Sequence, residues 1–253
     1  MKVALSILLI LLSFHSFPQS GKKKSEKVPS FFGFQYKAIF PARFIGEPEL
    51  FLEKDGFESI TKQKRGYSIG GTVRVGVTKL IAIETGINLT QRNFNIDFSL
   101  ADSNIFNTST LSFIEYDIPI NGLIYIQLSE KWYSNASLGV AVTFKPTDIG
   151  TSFFAEDNWF YHTGVAQNKI GFDLNANFGF EFRTEKSGFF YLGGSGRVPF
   201  QPLFGMIAQH QYQGLNNLII GDVDGSYLSL DLKYFFPNIA NKGTQFQEGP
   251  IRQ

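Results

Sequence analysis

Cysteine is missing from all 253 residues. Its absence excludes disulfides, thiolate metal ligands, a cysteine nucleophile, and lipid attachment through a cysteine at a processed N-terminus. Charge of either sign is not in excess: 23 Lys and Arg against 22 Asp and Glu leave a formal net charge of +1, which argues against a nucleic-acid partner. Histidine is scarce, at three residues, and His15 lies near the apolar N-terminus. Long hydrophobic runs are also lacking. The most apolar one, residues 3–12, is about half of the roughly 20 residues that a membrane-spanning helix needs. Any membrane-crossing part of this chain therefore has to be a closed β-sheet, the other structure that satisfies its own backbone within lipid.

What is present begins with a targeting segment. Lys2 precedes the apolar run, and small and polar residues follow through Ser20, which is the layout of a secretory signal peptide over residues 1–20. Residues 21–29 form a basic leader with Lys22, Lys23, Lys24 and Lys27, expected to lead flexibly into the first folded element.

Between residues 30 and 236, eight stretches alternate apolar and polar residues with a period of two: 30–40, 66–78, 80–98, 110–128, 131–145, 168–184, 187–198 and 227–236. The sixth is the clearest. Ile170, Phe172, Leu174, Ala176, Phe178, Phe180 and Phe182 make one row, while Asp173, Asn175, Asn177, Gly179, Glu181 and Arg183 belong to the other. Strands of a soluble sandwich alternate as well, but two features point elsewhere. Most of these stretches reach the ~9–11 residues of a tilted bilayer-crossing strand, against about 5–6 for ordinary strands. Their polar rows hold Gly, Asn, Ser and full charges, which suit the narrow interior of an eight-stranded barrel, and their apolar rows would coat its outside. Aromatic residues, 16% of the chain, then find a place at two membrane interfaces. The expectation is an all-β fold, an eight-stranded antiparallel up-and-down transmembrane β-barrel over residues 30–236.

The connections alternate in length. Short ones fall near Lys79, at 129–131 and at 185–187; long ones span 41–65, 99–109, 146–167 and 199–224. Outer-membrane barrels have short periplasmic turns and longer outer loops, and an even strand number puts both chain ends in the periplasm. The leader and the polar tail, 237–253, are then periplasmic.

The stretch "IEYDIPI", 114–120, shows what the polar rows have to do. Glu115 and Asp117 alternate with bulky apolar residues, and a lumen with opposite charges can satisfy them. The expected lumen ion network comprises Lys37, Arg74, Glu84, Arg92, Glu115, Asp117, Lys145, Asp173, Glu181, Arg183, Arg197, Asp231 and Lys233. Pro119 lacks a ladder donor, so a local bulge is expected there.

With the strands placed, the sequence resembles the small outer-membrane β-barrel proteins of Bacteroidota, the PorT-like group. The carriers are "FIEYDIPINGLIYIQL", the turn "SEKW" and "YSNASLGVAVTF", together with "IAIETGINLTQRNF". One departure is that the last strand ends at Phe236 and a tail follows it. The resemblance implies a non-enzymatic accessory or scaffold for secretion or envelope assembly, with outer-membrane lipid and other envelope or secretion proteins as partners, and no cofactor.

Chemistry has few footholds. His162 and His210 fall in long loops, with Ser152, Asp157, Asp222 and Asp224 in the same loops, so a rim hydrolase is one alternative. "DVDG" at 222–225 has only part of a calcium loop. A narrow pore through the charged lumen is another alternative. The loop "SFFAEDNWFYHTG" carries Phe153, Phe154, Trp159, Phe160 and Tyr161, more apolar surface than solubility requires. These five are the candidate binding surface, placed either at the membrane interface or against a partner.

Overall fold

A computed structural model describes residues 30–42, 49–78, 80–184 and 187–237. The signal peptide, the leader and nearly all of the tail lie outside the described residues. The strands are β1 (Ser30–Pro41), β2 (Glu49–Lys54), β3 (Phe57–Gly76), β4 (Ile81–Leu100), β5 (Ile105–Gln127), β6 (Trp132–Phe144), β7 (Ile149–Ala155), β8 (Asn158–Val165), β9 (Ile170–Arg183), β10 (Phe189–Pro199), β11 (Phe204–Tyr212), β12 (Leu215–Val223) and β13 (Tyr227–Phe235).

Eight of them close on themselves. The antiparallel order runs β1, β3, β4, β5, β6, β9, β10, β13, and β1 pairs with both β3 and β13, so the ring has no open edge. These are the eight strands expected from the alternation, joined up and down around the barrel. Their outward rows remain uncovered: Ile87 is 64% exposed, Leu138 62% and Phe178 56%. A continuous apolar belt of this kind is compatible with lipid and not with water.

The register corrects one expectation. Thr85 pairs with Ile120 and Asn88 with Asp117, so β4 and β5 keep step across Pro119, with a two-residue gap in the ladder and no inserted residue. Pro119 is not a bulge. The bulge lies in β3, where Lys64 opposes Asn93 but Tyr67 opposes Gln91. One extra residue reverses which parity faces inward. Ser68, Thr72 and Arg74 are buried below it, and Phe57, Ser59, Thr61 and Gln63 above it.

The bulge marks a boundary that β4 and β5 also record. Along β4 the outward row changes from Ile83, Ile87 and Leu89 to Asn93, Asn95 and Asp97. The inward row changes from Glu84, Asn88 and Arg92 to Phe94, Ile96 and Phe98. In β5 the inward Glu115 and Asp117 give way to Phe113 and Leu111. Polar out and apolar in is the rule for water, so β3, β4 and β5 pass out of the bilayer and continue as a soluble sheet.

The long connections are mostly strands, which corrects their reading as loops. β7 and β8 form one hairpin, β11 and β12 another, and β8 pairs with β11 to make a four-stranded sheet. β2 joins the extension of β3. The four-stranded sheet and the extensions enclose a core that includes Phe57, Phe94, Phe98, Phe160, Phe204 and Met206. This cap is a second packed unit on the long-connection end of the barrel.

Candidate functional site

Twelve of the thirteen expected network residues are buried inside the ring, and Lys37 is half-buried. They form two groups. In the first, Arg74 reaches Glu84 at 2.7 Å and also pairs with Glu181, Arg183 reaches Glu181 at 2.7 Å, and Lys233 pairs with Glu84. In the second, Arg197 bridges Asp173 at 2.6 Å and Asp117 at 3.1 Å, while Arg92 meets Glu115 at 3.1 Å and Lys37 meets Asp231 at 3.5 Å. Lys145 donates to the carbonyl oxygen of Pro202 instead of a carboxylate. Buried charges are held by pairing and hydrogen bonding, and neutral groups join the set. Asn88 donates to Asp117 at 2.8 Å, and Asn135 to Glu181 at 2.6 Å.

Aromatic residues do the rest of the filling; of these, the alternation shows Tyr191 in a polar row, opposite Phe190 and Leu192. Arg183 lies over the Tyr133 ring at 4.1 Å, Arg74 over Phe235 at 4.4 Å, Arg92 over Tyr227 at 4.7 Å and Lys233 over Tyr191 at 4.9 Å. Each contributes cation–π attraction in a desolvated site. At the short-turn end Phe189 stacks on Phe235 and meets Phe31 edge to face. Gly179 and Gly193 make room for Tyr191, since a side chain at either would run into its ring. The signal in the sequence was a ring standing in a polar row, as Phe235 does after Ser229, Asp231 and Lys233. A cavity lined by Gln35, Glu84, Asn121, Asn177, Arg197 and Lys233 holds about 20 Å³. That is room for a single water.

The histidines are not where a rim catalyst would need them. Both are on strands and buried in the cap core, His162 at 1% exposure and His210 at 6%. His162 faces Phe98, with ring centres 5.0 Å apart, and His210 stacks on Phe160 at 5.0 Å. His210 Nε2 shares a hydrogen bond of 2.7 Å with Asn158 Oδ1. Burial pushes the His162 imidazole down to about 4 and lowers His210 too. Ser152 pairs opposite Tyr161 and shares its outer face, whereas His162 points inward, so no Ser–His set assembles. Asp222 accepts from Gln167 at 2.6 Å, and among the described residues no group of three or more His, Asp or Glu could hold a metal ion.

The aromatic loop is split by strand alternation. Phe160 is fully buried and Phe153 packs on the core, whereas Phe154 and Trp159 are 50% and 43% exposed and Tyr161 is half-buried beside them. Trp159 lies 4.7 Å from Phe154 and 5.8 Å from Tyr161. These outer rings lie beyond the apolar belt. Phe160 packs 4.9 Å from Phe98, and Phe98 stands roughly 20 Å beyond Leu89, the last belt residue of β4, at a strand rise of about 3.3 Å and a tilt of about 40°. That separation favours placement against a partner over placement at the membrane interface.

No protein-family model and no curated protein matches the chain. Solved structures do. The outer membrane protein OprG from Pseudomonas aeruginosa is similar at 12% identity and a TM-score of 0.50, over 83% of this chain and 97% of that one. The outer membrane protein AlkL in lipid bilayers aligns at 14% identity and a TM-score of 0.41, over 88% and 97%. The β domain of the Bordetella autotransporter BrkA aligns at 9% identity and a TM-score of 0.27, over 83% and 98%. The chain has the fold of a small outer-membrane β-barrel.

Proposed function

We propose that this is an outer-membrane β-barrel protein of the PorT-like kind, acting without enzymatic chemistry as an accessory or scaffold in secretion or envelope assembly. Its chain ends lie in the periplasm and its cap projects outside the cell. The observation that carries this reading is the contrast between the two halves. The lumen is occupied by ion pairs and aromatic packing around a cavity of about 20 Å³, whereas the cap exposes Phe154 and Trp159 beyond the apolar belt. Exposed aromatics on a rigid sheet are the residues that dominate contact energies. The motifs around "IEYDIPI" support the PorT-like assignment, and the burial of both histidines weighs against the hydrolase alternative.

Complementation of a deletion strain tests it. The combined variant Phe154→Ser, Trp159→Ser, Tyr161→Ser should reach the outer membrane at the normal level and fail to complement. Full complementation by that variant would sink the proposal.

A further inference from the structure

The outer face of the four-stranded sheet has a side-chain inventory that identifies a ligand class. Cross-strand pairing sets three rows. Phe154, Trp159, Gln211 and Asn216 lie side by side at the tip; Ser152, Tyr161, Gln209 and Leu218 come next; Gly150, Thr163, Ile207 and Ile220 follow. The Trp159 and Tyr161 rings are parallel within 10°. Gln209 Nε2 donates to Asn216 Oδ1 at 2.9 Å, which orients the amide pair between the rings and the sheet edge. None of these twelve residues carries a formal charge.

We propose that this face binds a neutral saccharide; the inference rests on the surface-acting role above and names its ligand. A pyranose ring has apolar C–H faces and a rim of hydroxyls. Aromatic rings bury the first, and Gln, Asn, Ser and Thr side chains hydrogen-bond the second in either donor sense. Without Lys or Arg the face has nothing to pair with phosphate or carboxylate, which disfavours anionic polymers and lipid headgroups. It also lacks the Arg that accompanies Trp and Tyr at protein–protein hot spots. Its distance from the belt removes acyl chains as occupants.

The test uses the full chain in detergent micelles, run through native gels containing dextran, starch or laminarin, and in parallel through gels containing alginate or heparin. At least one neutral polymer should retard migration, independently of salt. Trp159→Ala should weaken that retention about tenfold, Trp159→Tyr should largely keep it, and Gln209→Ala should reduce it. Unchanged heat-modifiable migration shows that each variant still holds its barrel. The proposal fails if no neutral polymer retards the protein, if only the anionic polymers do, or if Trp159→Ala binds like the parent. Should the triple serine variant lose complementation while no neutral polymer binds, the surface role stands and its ligand is a protein. Should saccharide bind while that variant complements, the saccharide site stands and the accessory role falls.

Discussion

Arg74 shows how a single residue closes this lumen. Its guanidinium meets Glu84 and Glu181 while lying over Phe235, and it is 1% exposed. Such a pair is weak evidence of net stability, because desolvation consumes much of the attraction, but breaking it strands charge. Glu84 retains Lys233 and Glu181 retains Arg183 when Arg74 is lost. Arg74→Met is therefore expected to destabilise by about 3 kcal/mol, the low end for a broken buried pair, read from urea midpoints in lipid vesicles. The lipid face obeys the opposite rule. Phe178 points outward and its neighbour Asn177 inward, bonded to Asp231 at 3.1 Å. Phe178→Arg should cost about 2–4 kcal/mol if it lies near the midplane, measured in the same assay. A smaller loss than at surface positions of the cap would argue against lipid contact there.

Among the elements, the hairpins of the cap have a stability of their own. Phe160 on β8 touches Phe98, Phe57 and His210 and is fully buried. Phe160→Ala should cost the cap about 3–5 kcal/mol, so limited proteolysis should cut β7–β8 and β11–β12 while the barrel remains heat-modifiable. Acid should loosen the same elements. Folded His162 titrates at about 4 and an unfolded histidine near 6.5. Between those values the opened cap binds a proton that the closed one refuses, so cap stability is intact above about 6.5 and falls as pH drops toward 4, by up to about 3 kcal/mol. His210 shifts in the same direction. Hydrogen exchange of β8 and β11 against pH checks this, and His162→Leu should flatten the slope; a slope unchanged by that variant would assign the acid effect elsewhere.

For the whole molecule the expected consequence of a filled lumen is a barrel without steady conductance. Aromatics close the short-turn end, ion pairs fill the middle and the cap core covers the other end. Purified protein in planar bilayers should give no steady conductance. Stable single-channel steps that disappear on altering Arg74 or Glu115 would overturn the filled-lumen description and restore the pore alternative.

By itself the sequence determined the eight wall strands and their two faces, because a period of two in long stretches admits one arrangement around a closed ring. It also placed the charged residues together, since Glu115 or Arg183 has no other refuge in a lipid-coated barrel. Three things were decided only in three dimensions. The alternation inverts at Gln91–Asn93 in β4 and across the β3 bulge, and a period carries no label for which medium it faces until the partner sheet is present. The 146–167 and 199–224 segments read as loops because sequences such as LNNLIIGDV lack a clean period of two, and they become a sheet only by pairing β8 with β11, across forty or more residues of chain. The histidines and Phe160 looked available for chemistry or contact, yet they are buried because that pairing turns their row inward onto Phe57 and Phe98. Tertiary contact assigned those faces because burial depends on what packs opposite, and residue order along one strand does not contain that.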